Sequence, residues 1–472
     1  MNFEKFLKIF VLISVIIEIK FVDFYMIICH TMLSILNGGL VMYRKVMSFL
    51  EAWKENEHRK PLILQGARQV GKTYSILEFG RQSYENVAYF NFETNQKLHA
   101  TFEENISPDY LIPILSHIAG QTIVKEKTLI IFDEVQMCER ALTSLKYFCE
   151  DAPDYHIIAA GSLLSVAVNR AKFSFPVGKV DMKTLYPMDM EEFMLAMGEN
   201  DLVEQIKKCF ETDSPMPAAL HDAAMQLYRQ YLVVGGMPEC VMQFAQTKDY
   251  ILIRHTQDTI LAGYLNDMSK YNNLNEIKKT RLAYDNITVQ LSKKNTRFQY
   301  KLLKKGGRAS EFENAIEWLC LSGIVSQVYK AEQIKKPLEN YRDIDAFKIY
   351  VSDLGLLCAK KGLAANDILY MVEELNDFKG GMAENYVNVQ LSINGYNACY
   401  WESGRGAEID FIIQREGRLI PIEVKSADNT RAKSLKVYME SYKPAYAIKL
   451  SAKNFAFEDN KKMVPLYAAF CI

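Results

Sequence analysis

The stretch from Leu62 to Thr73, LILQGARQVGKT, decides the fold of this 472-residue chain. It begins as an apolar strand and continues as GxxxxGK[ST], a spacing in which two glycines let the backbone curl around a phosphate group. The following run, YSILEF from Tyr74 to Phe79, is compatible with a helix whose N-terminal end would attract the same phosphate. The alternative is an ordinary glycine-rich turn, but the flanking strand and helix favour a nucleotide-binding loop.

Each part of this loop has an expected role. Its backbone N–H groups should point at the β-phosphate, and the Lys72 ammonium should bind oxygens of the β- and γ-phosphates. The Thr73 hydroxyl should bind Mg²⁺, so ATP and Mg²⁺ are the predicted cofactors. The predicted nucleotide-binding residues of the loop are Gly66, Ala67, Arg68, Gln69, Val70, Gly71, Lys72, Thr73 and Tyr74.

A second motif, TLIIFDE from Thr128 to Glu134, would complete the site. Its apolar run predicts a buried parallel strand. Asp133 at the end of that strand would hold Mg²⁺ through water, and Glu134 would polarise the water that attacks the γ-phosphate, which favours hydrolysis over binding alone. The alternative is a core strand that ends in a solvated acidic turn. Ser162, just past the predicted strand 156–160, would sense the γ-phosphate if the two strands are neighbours, or it would cap a helix.

Composition sets outer limits on the class of protein. Hydrophobic residues make up 49% of the chain and charged residues 24%, as in globular proteins, and the length predicts two or three domains. A net charge of −1 gives no overall attraction to nucleic acid or membrane. The nine cysteines show no CxxC pattern, which favours free thiols and a cytoplasmic location.

Residues 1–41 are strongly apolar, but Glu18, Lys20 and Asp23 interrupt the run. Charges at bilayer depth are costly, so a stable membrane partner is not expected. A membrane anchor and an accessory helix remain alternatives. The favoured interpretation is that Met42 is the natural start and that this apolar extension is not part of the fold.

Strand and helix patterns alternate up to about residue 190, which predicts an α/β domain with a parallel sheet over residues 42–190. A helical pattern follows and predicts a lid over residues 191–275. Residues 270–308 carry eleven lysines and arginines against two acidic residues. With the helix and two strands that follow, they predict a winged-helix domain over residues 276–355 that binds DNA or RNA; the alternative is a solvated basic face.

The C-terminal third, residues 356–472, carries a different pattern. Asp410 and Glu423 lie in two apolar strands joined by a short turn, and Lys425 shares a strand face with Glu423. Two carboxylates and a lysine in such strands predict a hydrolytic Mg²⁺ site, which Glu384 from a preceding helix would close. Alternating charges on a strand are also common without any catalytic role.

Taken together, these motifs resemble the AAA-like, STAND-related ATPases of bacteria and archaea, fused to a C-terminal domain of unknown function similar to PD-(D/E)xK nucleases. The resemblance covers about residues 42–470. It implies an ATPase with a helical lid, a winged helix and a nuclease-like fold, and it makes Pro238 a contact of the adenine. The motifs that carry it are GARQVGKT (66–73), FDEVQ (132–136), AAGSLL (159–164), YPMDMEEF (186–193), GGMPE (235–239), YVSDLGLL (350–357), ENYV (384–387), YWES (400–403), EIDFII (408–413) and PIEVKS (421–426).

Two hypotheses from different functional classes follow. In the first, the protein is an ATP-driven enzyme that acts on nucleic acid, with Lys72, Glu134, Ser162 and Lys425 as catalytic residues. In the second, it is a nucleotide switch or scaffold whose nuclease-like fold is catalytically silent. The sequence leaves open whether the chain forms a homo-oligomer.

Overall fold

The computed structural model describes residues 42–472, apart from 165, 167–174, 271–273, 293–296, 405 and 427–432. The chain divides between residues 45 and 46, and everything below concerns the unit formed by residues 46–472. The expectations for residues 1–41, and for Lys293 and Lys294 in the basic segment, lie outside the described residues. No helix in the described ranges is long and apolar enough to cross a membrane.

A five-stranded parallel sheet forms around the nucleotide-binding loop, as the alternating pattern predicted. The strand order is β2-β3-β4-β1-β5. All residues of β3 and β4 are buried, as expected for strands covered on both faces. The strands are β1 (Leu62–Gln65), β2 (Asn86–Asn91), β3 (Thr128–Asp133), β4 (His156–Gly161) and β5 (Asp181–Thr184).

Helices pack on this sheet and close its core. Phe132 of β3 contacts the rings of Phe92 and Phe102 edge to face, both at 5.6 Å between ring centroids. Buried aromatic rings of this kind contribute a large part of the hydrophobic stabilisation of a core. The helices of this part are α1 (Val46–Glu55), α2 (Lys72–Ser83), α3 (Gln96–Glu104), α4 (Pro108–Ala119) and α5 (Glu139–Asp151).

The middle of the described chain is helical, as its pattern predicted. Its first helix begins with a capping box: the Asp189 carboxylate accepts a bond from the Glu192 N–H (2.8 Å), and the Glu192 carboxylate accepts one from the Asp189 N–H (3.3 Å). The helices are α6 (Met190–Ala196), α7 (Asn200–Thr212), α8 (Ala218–Val234), α9 (Pro238–Thr247), α10 (Tyr250–Lys270), α11 (Leu274–Leu291) and α12 (Ala309–Leu321).

A second, mixed sheet of eight strands fills the C-terminal part, in the order β12-β13-β11-β10-β9-β8-β6-β7. The strands are β6 (Val325–Ala331), β7 (Arg342–Val351), β8 (Cys399–Glu402), β9 (Glu408–Arg415), β10 (Arg418–Val424), β11 (Ala447–Ser451), β12 (Ala456–Glu458) and β13 (Lys461–Pro465). The helices beside them are α13 (Leu354–Lys360), α14 (Ala365–Leu369), α15 (Asn376–Ile393) and α16 (Lys433–Tyr442).

The two strands predicted as the wing of a winged helix belong to this same sheet. β6 and β7 form an antiparallel pair, and β6 also pairs in parallel with β8, with Tyr329 opposite Cys399. An isolated hairpin leaves the outer edge of each strand with unpaired backbone groups, and here β8 covers the outer edge of β6. One hydrogen-bonded sheet therefore crosses the domain boundary predicted at residue 355.

Candidate functional site

The loop between β1 and α2 has the backbone that its glycines predicted. Gly66, Gln69 and Gly71 have φ angles of 148°, 67° and 90°. A Cβ atom on Gly66 would lie 2.1 Å from the carbonyl oxygen of Leu185, which follows β5. Only glycine fits there, since the Leu185 N–H also donates to the Gln65 carbonyl and holds the two chains together (2.7 Å).

Lys72 begins α2 and lies over the loop. Its side chain is buried, with 7% of the residue exposed, and Nζ donates to the carbonyl oxygens of Gly66 (3.0 Å) and Ala67 (2.8 Å). Burial lowers the pKa of Lys72 to about 8, although Glu134 and Asp133 raise it. The loop therefore carries a cation that carbonyl dipoles hold in place.

The structure brings the two predicted Mg²⁺ ligands of this site together. The Thr73 hydroxyl donates to Oδ2 of Asp133 at 2.9 Å. One hydroxyl and one carboxylate fit Mg²⁺, which takes few protein ligands and completes its shell with phosphates and water. The Tyr89 hydroxyl donates to the same Asp133 oxygen (2.7 Å), a contact that the sequence analysis missed. β2 and β3 pair in parallel with Asn91 opposite Asp133, and that register brings Tyr89 near.

Glu134 follows β3 with a left-handed backbone, φ 51°, which is uncommon for a residue with a long side chain. Its Oε2 accepts a 2.5 Å hydrogen bond from Nε2 of Gln136. The other amide atom, Oε1 of Gln136, is buried without a partner in the described residues, and a Cβ on Gly161 would lie 2.3 Å from it. Gln136, which the sequence analysis assigned no role, thus spans from Glu134 to the end of β4.

The position of Ser162 meets the condition set for a γ-phosphate sensor. β3 and β4 are neighbours, with Phe132 opposite Ala159, and β4 lies between β3 and β1. Ser162 is half-buried and follows Gly161, the last residue of β4. Its role remains a prediction.

The nucleotide-binding loop also contacts elements far along the chain. Nη1 of Arg68 forms an ion pair with Oδ1 of Asp267 on α10 (2.5 Å), and the Tyr264 hydroxyl donates to the Arg68 carbonyl (3.3 Å). The Asp267 side chain is 5% exposed. Gly323, in the turn before β6, packs on the loop so closely that a Cβ atom there would lie 3.1 Å from the Ala67 nitrogen.

Three of the predicted motifs meet at Asp353, directly after β7. Its carboxylate caps α13 by accepting from the Leu356 N–H (2.8 Å) and also accepts from the Gly236 N–H (2.6 Å). Burial raises the pKa of Asp353 to about 6, although these N–H bonds lower it. The Gly236 carbonyl in turn accepts from the Met188 N–H (2.6 Å). Pro238, predicted to contact adenine, is half-buried and begins α9 two residues later.

A second group of charged side chains lies on the C-terminal sheet. Ile422 of β10 is opposite Phe411 of β9, so Glu423 and Asp410 take the next position of this antiparallel pair. Glu423 forms an ion pair with Lys425, and its Oε2 is buried without a partner in the described residues. Asp410 accepts from the Val424 N–H (2.7 Å). Burial raises the pKa of both carboxyls, and repulsion from Glu384 adds to the effect.

Two further residues of this group, on β7, were not predicted. Nζ of Lys348 forms ion pairs with Glu384 (3.2 Å) and Glu408 (2.5 Å), and the Tyr350 hydroxyl donates to the same Glu384 oxygen (3.0 Å). Lys348 is 1% exposed. A lysine in the otherwise apolar run AFKIYV was the available signal, because an unpaired charge is rarely buried.

These side chains do not fit a divalent metal as they are arranged. In the described part of the chain, no three His, Cys, Asp or Glu side chains are grouped so that they could hold a metal ion. Glu384, Asp410 and Glu423 were predicted to form such a group. Lysines pair with two of the three instead: Lys348 with Glu384 and Lys425 with Glu423. No chemical step through a metal is derived at this site.

The basic segment presents several exposed cations that have no ion-pair partner among the described residues. Lys301, Lys305 and Arg308 are exposed in the stretch before α12. Lys304, also exposed, forms an ion pair with Glu311 at 2.8 Å. A basic, exposed surface is present, but surface charge alone does not identify a partner.

Comparisons with known proteins support part of this picture. Three family models match separate regions: an AAA domain over residues 58–194, and two domains of unknown function, DUF8612 over 225–367 and DUF4143 over 379–469. No curated protein matches the chain. The DUF8612 match crosses the domain boundaries predicted at residues 275 and 355. Within the predicted nuclease-like region, 356–472, DUF8612 covers residues up to 367 and DUF4143 covers 379–469.

Several solved structures align loosely with this chain. The Walker-type ATPase PABY2304 of Pyrococcus abyssi has a TM-score of 0.41 at 13% identity, covering 68% of this chain and 96% of its own. The ORC2 protein of Aeropyrum pernix aligns with a TM-score of 0.36 at 11% sequence identity, and the alignment covers 72% of this chain and 96% of that protein. The RuvB branch migration motor of Thermotoga maritima aligns with a TM-score of 0.28 at 14% sequence identity, and the alignment covers 60% of this chain and 89% of that protein. The family match and the geometry of the loop, Lys72, Thr73 and Asp133 together show an AAA-like P-loop ATPase domain within residues 58–194.

Proposed function

We propose that the protein is a Mg²⁺-dependent ATPase whose nucleotide state acts on its C-terminal half. One observation carries the first part: Lys72, Thr73, Asp133 and Glu134 converge where β1 and β3 end. Lys72 would bind the β- and γ-phosphate oxygens, for which its buried ammonium has no competing carboxylate at hydrogen-bond distance in the described structure. Thr73 and Asp133 would hold Mg²⁺, whose charge neutralises the same oxygens when bound.

Hydrolysis would then depend on Glu134. Its carboxylate would accept the proton of the attacking water, and the hydrogen bond from Gln136 would orient it. Ser162, after the neighbouring strand, would contact the γ-phosphate, and Pro238 would contact adenine. The remaining loop residues, from Gly66 to Tyr74, would surround the phosphates with backbone N–H groups.

The second part of the proposal rests on the contacts of the loop. Arg68 is tied to Asp267, and Ala67 packs on Gly323, so α10 and the turn before β6 both lie against the residues that would surround the phosphates. If a bound phosphate shifted this loop, the Arg68–Asp267 ion pair and the packing of Ala67 on Gly323 would have to shift with it. The predicted lid (191–275) and winged helix (276–355) would be the elements that respond, and the predicted C-terminal domain (356–472) would follow.

ATP binding and turnover test the ATPase proposal. Lys72→Ala should lose ATP binding, because the loop loses its charged contact with the phosphates. Glu134→Gln should bind ATP like the wild type but turn it over about 10²- to 10⁴-fold more slowly, the usual contribution of a general base. Binding is measured by calorimetry with Mg²⁺, and turnover by phosphate release. An equal loss of ATP affinity in both variants would contradict the roles assigned here.

Nucleic-acid binding is the further part of the proposal, and the exposed Lys301, Lys305 and Arg308 favour it. If these residues contact phosphates, replacing all three with alanine should flatten the plot of log affinity against log salt by about three units, on the order of one per contact. A matched control replaces Lys304, which is paired with Glu311. An unchanged slope in the triple variant would mean that this face is only solvated.

A second candidate function is cleavage of DNA or RNA by the C-terminal domain, with Lys425 facing the phosphate. The buried Oε2 of Glu423, which has no partner among the described residues, favours it, because such an atom usually has a partner in the working protein. Glu423→Ala should then abolish cleavage and leave ATP turnover intact. If the wild type turns over ATP but cleaves nothing in any buffer, the protein is better described as a nucleotide switch with a silent nuclease-like fold.

A further inference from the structure

A group of four acidic residues, Glu384, Glu408, Asp410 and Glu423, is called here the carboxylate cluster, and two of its members contact a buried ammonium group. Nζ of Lys348 lies 3.2 Å from an oxygen of Glu384 and 2.5 Å from one of Glu408, and it also faces the Tyr400 ring at 5.3 Å. With 1% of the residue exposed, Lys348 has almost no contact with water. Two carboxylates and an aromatic face are a complete binding site for a cation.

The elements that carry the cluster hold it rigidly around that ammonium. α15, which carries Glu384, is fastened to the end of β7 because the Asn385 side chain donates to the Val351 carbonyl (2.7 Å) and accepts from the Val351 N–H (2.8 Å). Tyr350, two residues from Lys348 on β7, holds the Glu384 oxygen from a second direction. Lys348 therefore cannot leave the cluster by a simple rotation of its side chain into solvent.

We propose that Lys348 is the resident cation of the carboxylate cluster and that it keeps divalent metal ions out. The inference goes beyond the ATPase proposal, does not depend on it, and argues against metal-dependent cleavage at this site, in line with the absence of a metal-holding group of carboxylates among the described residues. A metal ion would need the carboxylate oxygens at about 2.0 to 2.5 Å, and the ammonium already engages two of the four carboxylates, those of Glu384 and Glu408. Two positive charges within one small buried site would also repel each other strongly.

The cluster retains the chemistry to bind a metal once the ammonium is gone. All four of its acidic side chains offer oxygen ligands, which suit hard cations such as Mg²⁺ and Mn²⁺. One oxygen, Oε2 of Glu423, is buried and has no partner in the described residues, so it is available to a new cation. Lys425, the second lysine of the site, pairs with Glu423 and has a side chain that is 31% exposed, against 1% for Lys348.

The test is a gain of metal binding in the full-length chain. Lys348→Met and Lys348→Gln remove the ammonium, and Lys330→Met is the matched control, since Lys330 also pairs with a glutamate but on the neighbouring strand (Glu402, 3.3 Å). Binding of Mn²⁺ is measured by electron paramagnetic resonance without nucleotide. The Lys348 variants should bind one more Mn²⁺ than the wild type and the control do. The affinity of the carboxylate cluster for Mn²⁺ should be at least tenfold higher in these variants than in the wild type, and adding Glu423→Gln should remove the additional Mn²⁺.

Two outcomes would overturn the inference. One is a wild-type protein that already binds Mn²⁺ in a manner sensitive to Glu423→Gln. The other is a pair of folded Lys348 variants that bind no additional Mn²⁺. If Lys348→Met unfolds because its carboxylates lose their counter-ion, Mn²⁺ should restore its folding, and EDTA should abolish that rescue by removing the Mn²⁺. A variant that Mn²⁺ does not refold counts against the inference. ATP turnover by the same variants is read separately, so a failed ATPase proposal cannot be mistaken for a failed metal result.

Discussion

Lys72 should lower the stability of the nucleotide-free protein, because its charged ammonium group is buried away from water. Burial lowers the pKa of Lys72 from 10.5 to about 8, and 7% of the residue is exposed. A displacement of that size corresponds to about 3 kcal/mol of lost stability at neutral pH. This cost already includes the hydrogen bonds that the ammonium donates to the Gly66 and Ala67 carbonyls. Lys72→Met should therefore be more stable than the wild type at pH 7, by up to about 3 kcal/mol.

The pH dependence separates the charge from the packing. Between about pH 8 and pH 10.5 the folded wild type releases the Lys72 proton while the unfolded chain keeps it, so rising pH favours the folded state. From pH 7 to pH 9.5 the wild type should gain about 2 kcal/mol relative to Lys72→Met. Groups that both proteins share cancel in this difference.

Urea titrations of both proteins at pH 7 and pH 9.5, followed by circular dichroism, measure the difference in unfolding free energy. Lys72→Arg is the matched control, because arginine stays charged throughout this range and should show no gain relative to Lys72→Met. A difference between wild type and Lys72→Met that is the same at both pH values would refute the buried-charge reasoning. So would an unchanged ATP affinity in Lys72→Met.

Three further predictions concern neighbouring contacts. Gln136→Ala should keep ATP affinity but lower turnover about tenfold, because Glu134 loses the hydrogen bond that orients it; phosphate release checks this, and a larger loss of affinity than of turnover would contradict it. Burial raises the pKa of Asp353 to about 6, so as pH falls the folded state binds a proton at a higher pH than the unfolded state does. Lowering pH from 7 to 5 should therefore stabilise the wild type relative to Asp353→Asn by about 1 kcal/mol in urea titrations, and an equal response of both proteins would refute it. Tyr89→Phe should alter the Mg²⁺ concentration needed for half-maximal ATP turnover more than it alters the rate at saturating Mg²⁺, since the hydroxyl contacts Asp133; an effect confined to the saturated rate would contradict this.

Local patterns allowed the strands and the loop of the candidate ATP site to be predicted. The strands that carry it are nearly continuous apolar runs, and their ends are marked by glycines or carboxylates, so β1, β3 and β4 appeared at the expected residues. The GxxxxGK[ST] spacing fixed the loop because its chemistry depends on residues adjacent in sequence. A contact between Thr73 and Asp133 also requires that β1, which leads into the loop, and β3, which ends at Asp133, belong to the same parallel sheet. The fold meets that requirement.

Long-range pairs could not be predicted in this way. Asp267 lies 199 residues from Arg68, and Lys348 lies 60 residues from Glu408, so no local pattern links either pair. The pairing of β6 with β8 was missed for the same reason: a hairpin after a helix is typical of a winged helix, and only the tertiary fold shows which strand covers its edge. Asp353 belonged to a quoted motif, but its bond to Gly236 crosses 117 residues.

The two buried lysines show how surroundings, rather than residue type, decide whether a site is open to a ligand. Around Lys72 burial outweighs the distant carboxylates, and its pKa falls to about 8, so the ammonium gains by meeting an anionic phosphate. Around Lys348 burial also lowers the pKa, but Glu384, Tyr350 and the neighbouring carboxylates outweigh it and raise the pKa well above the ordinary value. Lys348 thus already has its counter-ions, and a phosphate or a metal ion must compete with them. The nucleotide-binding loop is accordingly prepared for its ligand, whereas the carboxylate cluster must first lose a contact that the fold itself supplies.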